Sequence, residues 1–219
     1  MATAAKPLRA DAERNRRLVL DAATAAFAEH GLDVGITEIA RRAGVGRGTL
    51  FRRFPTKEHL IAAVVVHRMA ETAQQARALL GAPDAADALF GLLATTLGVQ
   101  QFDRALFEAL GDRFLANPEI RRAHAELIGV LDELLGRAQA QGTVRKDVGA
   151  LDVVMMIKGV CEATRPFASS DTGIGERQLD LVRSALRTGP VTEPLRGRSP
   201  TLEDLELASR PTPPASTPA

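Results

Sequence analysis

An all-helical chain, with a small basic head on a larger acidic body, is the architecture that this sequence predicts. Three observations carry that reading. Apolar residues recur at helical spacing through long runs, and short gaps marked by Gly or Pro separate the runs. No run of strand length alternates β-branched and polar residues. Charge is unevenly spread as well: residues 14–57 hold nine basic side chains against four acidic ones, in a chain whose net charge is only +1. A basic segment on an acidic remainder is the pattern of a protein that meets a polyanion with one of its parts. With 219 residues and 45% apolar content, the chain has core enough to fold without staples. Its one cysteine, Cys161, excludes an intramolecular disulfide and fits a reducing compartment. The apolar runs are too short or too charged to span a bilayer, so a cytoplasmic protein with no membrane partner is expected.

The elements follow in order. Residues 1–11 are small and polar, and a flexible arm is expected there. A helix over about 12–30 carries the stripe Val19, Ala22, Ala23, Ala26 and Phe27, and Gly31 stops it. Two short helices, about 36–43 and 47–54, flank the turn Gly44-Val45-Gly46. Pro55 breaks the pattern, and Thr56 is placed to cap a longer helix that opens at Lys57. Further helices are expected near 57–79, 84–98, 102–115, 118–141, 149–167 and 175–188. Pro83, Pro118, Gly142-Thr143 and Ser169-Ser170 interrupt them. Residues 189–219 are rich in Pro, Ser, Thr and Arg and read as a disordered tail. The division is thus an arm, a module over 12–56, a helical body over 57–188, and the tail.

The chemistry concentrates in residues 36–54. Ile39, Ala40, Ala43, Val45, Leu50 and Phe54 have the spacing to share a small core with the first helix. Gly44 permits the left-handed backbone that a tight turn between helices needs. Arg47, Gly48, Phe51 and Arg52 are left on outward or flanking positions of the second short helix. A helix-turn-helix puts that helix in the major groove of DNA, with its N-terminal residues at the base edges. The competing reading is a plain helical hairpin whose arginines are solvated.

Linked positions decide between the two. Val19-Leu20-Asp21-Ala22-Ala23, Phe27, Gly31, Ile39-Ala40, Ala43-Gly44-Val45, Gly48-Thr49-Leu50-Phe51 and Phe54-Pro55-Thr56-Lys57-Glu58-His59-Leu60 together resemble the TetR family of bacterial transcriptional regulators. The match spans roughly a fifth of the chain, and a softer one lies around residues 142–148. The resemblance implies a three-helix DNA-binding domain, a helical body that binds effectors and dimerises, and usually repression. Carried over by position, it implies base or groove contact by Arg47, Gly48 and Phe51. It also implies phosphate contact by Thr37, Thr49, Arg53, Lys57 and Arg17. Arginine suits guanine through paired hydrogen bonds to O6 and N7, which makes Arg47 the leading candidate for sequence readout. The chain departs from the family pattern at Gly35 and Gly46, where Ser or Thr often caps. It departs again at Phe51, where Tyr is common, and at Arg52-Arg53.

For the body, the resemblance implies a ligand pocket between helices, for which Phe90, Phe107, Leu110, Phe114, Leu131 and Met155 are candidates. It implies a two-fold interface from the last two helices, with Val153, Ile157, Val160, Leu179, Val182 and Leu186 as candidates. The expected partners are a double-stranded, partly palindromic DNA operator, a small-molecule effector and a second copy of the chain. No cofactor, metal site or catalytic group is expected. His30, His59, His67 and His124 form no i, i+4 pair with one another, and no nucleophile–base pattern is present.

Overall fold

The structure, a computed structural model, describes residues 5–98, 117–164, 167, 173–189, 195, 197–198 and 200–204. Among these residues the elements are helices: α1 (Ala5–His30), a single 3-10 turn (Gly31–Asp33), α2 (Ile36–Arg42), α3 (Arg47–Arg53), α4 (Lys57–Leu79) and α5 (Ala85–Gly98). After residues 99–116, the chain continues as α6 (Pro118–Ala140), α7 (Ala150–Thr164) and α8 (Ile174–Leu186). The expected helix over 102–115 lies outside the described residues. No described helix is long and apolar enough to cross a membrane.

Local chemistry sets these boundaries. α1 begins at Ala5, ahead of the start expected near residue 12. Pro7 sits in the first turn, where a missing N–H breaks no intrahelical bond, and its neighbours are good helix formers. Gly44 adopts φ +66° and turns the chain from α2 into α3. The Thr56 hydroxyl accepts a 3.4 Å hydrogen bond from the His59 amide at the start of α4. At α6, the Asn117 carboxamide oxygen accepts from the amides of Glu119 (2.8 Å) and Ile120 (3.4 Å), and Pro118 occupies the first turn.

Two cores result. The N-terminal core joins Leu20, Phe27, Ile39, Leu50 and Phe54 to Leu60 and Met69 of α4 and to Ile120 of α6. The body core joins Ala76 of α4 to Leu89 and Phe90 of α5, Leu134 and Leu135 of α6, Ile157 of α7 and Leu186 of α8. α4 therefore belongs to both. Polar stitches close the body. Gln141 accepts from the Ala85 amide (2.9 Å) and donates to the Pro83 carbonyl (2.7 Å). The Arg145 amide donates to the Leu186 carbonyl at 2.9 Å, which ties the turn after α6 to the end of α8.

A few residues of the tail are described. Residues 202–204 form a helical turn, and Leu202 packs against the body core. Thr201 and Asp204 cap each other, with Thr201 N donating to the carboxylate at 2.7 Å and the Asp204 amide donating to the hydroxyl at 3.3 Å. Arg198 adds two bonds of 2.6 Å to the same carboxylate, which is held well below the usual range, chiefly by that guanidinium. One apolar anchor and a self-satisfied turn are thus found in the described part of this segment.

Candidate nucleic-acid interface

α3 is seven residues long, and a single side chain, Leu50, fixes its inner face at 1% exposure. Phe54, just beyond its end, is buried with it. Arg47, Gly48, Thr49, Arg52 and Arg53 are exposed as a consequence, and Phe51 is half-buried. Arg47 lies one turn before Phe51, and its guanidinium carbon is 5.4 Å from the centre of that ring. A cation at this distance from an aromatic face is attracted to it, which narrows the range of directions Arg47 samples. A Cβ built on Gly48 would meet nothing within 4 Å, so internal packing does not require glycine there. Gly46 caps α3 from an extended backbone with no side-chain bond, and Gly35 does the same for α2.

The phosphate candidates frame this face. Thr37 is exposed in the first turn of α2, Arg17 is exposed on α1, and Lys57 is half-buried as the first residue of α4. The amides of the first turn of α4 accompany Lys57 and favour an anion at the same end.

Two arginines of the basic segment are engaged internally. Arg41 forms a fork on Glu38 with bonds of 2.8 and 2.6 Å. Arg42 bonds Glu38 at 2.9 Å and crosses to Glu29 of α1 at 2.6 Å. Hydrogen bonding from Arg41, and then Arg42, lowers the Glu38 pKa to about 2. These two acids and two arginines cancel, so the surplus charge of residues 14–57 rests on Arg14, Arg16, Arg17, Arg47, Arg52, Arg53 and Lys57. The Glu38–Arg41–Arg42 spacing of three and four residues was the sequence signal for this clasp.

The body candidates are divided between the core and the surface. Phe90 (2% exposed) and Leu131 are buried in the body core, and Phe90 lies beneath Arg183 of α8 (5.9 Å) and Arg187 just beyond its end (5.5 Å). Phe107, Leu110 and Phe114 lie outside the described residues. Met155 is 61% exposed. Val153, Ile157, Leu179, Val182 and Leu186 are buried in the protomer's own core, and Val160 is half-buried against it. The apolar stripes of α7 and α8 pack against each other and against α5 and α6. The same helices leave Met155 and Leu181 (54% exposed) on their outer sides, which the periodicity reading missed. Apolar residues standing off the main stripe were the available signal.

A two-helix reader with an exposed basic face, set on a helical body, defines a helix-turn-helix DNA-binding protein. Known proteins agree with it. Residues 19–64 match the family model described as bacterial regulatory proteins, tetR family. Residues 84–188 match that of the SbtR-like transcriptional regulator C-terminal domain. A TetR transcription regulatory protein from Mycobacterium vanbaalenii is 36% identical, with 83% of this chain and all of that one covered, at a TM-score of 0.64. A TetR transcriptional regulator from Streptomyces coelicolor is 31% identical, with 78% of this chain and 98% of that one covered, at a TM-score of 0.63. The HTH-type transcriptional regulator BetI of Brucella anthropi is 26% identical over 74% of this chain and 89% of its own length. The chain belongs to the TetR family of DNA-binding transcriptional regulators.

Proposed function

We propose that the protein is a homodimeric repressor that reads a partly palindromic operator and releases it when a small-molecule effector binds the body. The observation that carries this reading is the outer face of α3. Its arginines and a glycine not required by packing stand over one buried leucine, so backbone and guanidinium can both approach a groove. Arg47, Gly48 and Phe51 contact bases or the groove floor, while Thr37, Thr49, Arg53, Lys57 and Arg17 hold phosphates. Phosphate contacts supply salt-dependent affinity, and base contacts supply selection. Residues 12–56 act as the reader and 57–188 as the effector and dimer body. The pocket borders Phe90 and Leu131. The outer faces of α7 and α8, with Met155 and Leu181, meet the second copy across a two-fold axis. Because α4 is packed into both cores, an effector in the body changes the placement of the reader through it.

Selection of fragments from a random DNA pool by the full chain tests this reading. One enriched dyad motif is the expected result, followed by repression of a reporter carrying it and release by an effector found in a ligand screen. Uniform enrichment without a motif overturns the proposal in favour of an architectural DNA binder.

A further inference from the structure

We infer that Asp21, His67 and Glu71 form a site for a divalent transition-metal ion of the zinc type, which joins α1 to α4. His67 and Glu71 are one turn apart on α4, and Asp21 reaches them from α1. One ligand atom from each lies within 4.8 Å of the other two. His67 Nε2 is 3.5 Å from an Asp21 carboxylate oxygen and 3.4 Å from Glu71 Oε1. That nitrogen is closed to solvent and makes no hydrogen bond. A ring nitrogen closed to solvent that faces two carboxylates yet hydrogen-bonds neither calls for an explanation.

Both separations are too long for a charge-assisted hydrogen bond, for which N to O is about 2.7–2.9 Å. They match the edge of a metal tetrahedron instead. With metal–nitrogen and metal–oxygen bonds of about 2.0–2.2 Å, ligand atoms in tetrahedral array stand roughly 3.4 Å apart. Arg68 donates to the other oxygen of Glu71 at 2.9 Å, which leaves Oε1 turned toward His67 and fixes the carboxylate from outside. Glu71 and Asp21 are 40% and 58% exposed at the side chain, so an ion has a path in and water can complete its coordination. One imidazole and two carboxylates suit zinc and its neighbours, whereas calcium and magnesium require more oxygen ligands. The bound ion pins the reader's first helix to the helix that enters the body.

Titration of the metal-stripped full chain with Zn2+ by calorimetry, and with Co2+ by its visible absorption, tests the site. One ion per protomer is expected, with excess Mg2+ failing to displace it. Asp21→Asn and Glu71→Gln should each weaken binding about tenfold or more, as loss of a ligand does. Their unchanged far-UV circular dichroism would show that the fold is kept. His67→Gln should abolish the Co2+ band. No saturable uptake of either ion overturns the proposal, and so does uptake that the Asp21 and Glu71 variants leave unchanged. The titration needs no operator, so its failure is distinct from failure of the repressor reading.

Discussion

Arg47 and Phe51 show how much a single pair determines at the residue scale. The aromatic face under the guanidinium restrains a long side chain that would otherwise lose more freedom on reaching a base. Arg47→Ala should therefore flatten the preference at one position of each half-site, a loss of about 1–3 kcal/mol of discrimination. Quantitative selection with wild type and variant measures it, and an unchanged preference at every position would remove Arg47 from readout. Lys57→Ala should act otherwise, weakening all sequences alike and lowering the slope of log affinity against log salt by about one per half-site. Glu38 offers a pH test. Its folded pKa, about 2, lies below its ordinary 4.5, so its contribution is whole above 4.5 and is lost as pH falls from there toward 2. The melting-temperature gap between wild type and Glu38→Gln should be constant near neutrality and shrink across that interval.

At the scale of the element, the turn between α2 and α3 is the sharpest case. Gly44 has φ +66°, yet a Cβ there would meet nothing within 4 Å. The cost of Gly44→Ala is then backbone strain alone, about 1–2 kcal/mol, and chemical denaturation should read it with Gly44→Asn intermediate. This turn was legible in the sequence because its cause is local, and the same holds for Gly31 ending α1 and Thr56 capping α4. The face that each body helix buries was less legible. On α7 the period of 3.6 marks Val153 and Ile157 as apolar and inward, but it does not say whether inward means this protomer or its partner. That choice depends on α8, whose stripe of Leu179, Val182 and Leu186 fills the same core. The meeting of Asp21 with His67 was equally invisible, because the packing of α1 on α4 creates it, not any spacing along the chain.

Across the whole molecule, the proposed assembly rests on exposed residues. Met155 and Leu181 are largely solvated in the protomer, so replacing both with Glu should leave the helical content read by far-UV circular dichroism nearly unchanged. Sedimentation should then report a monomer in place of a dimer, with weaker operator binding because two half-sites are no longer spanned. A variant that remains dimeric would place the interface elsewhere on the body.

α4 adds a geometric consequence. A 23-residue helix is about 35 Å long at 1.5 Å per residue. If its far end, around Ala76, acts as a pivot, a swing of five degrees carries its Lys57 end through an arc of roughly 2.5 Å. Successive bases on one strand are about 3.4 Å apart. A small angular error in the body is thus magnified into most of a step along the groove, and in a two-fold pair the displacements of the two readers have opposite sense.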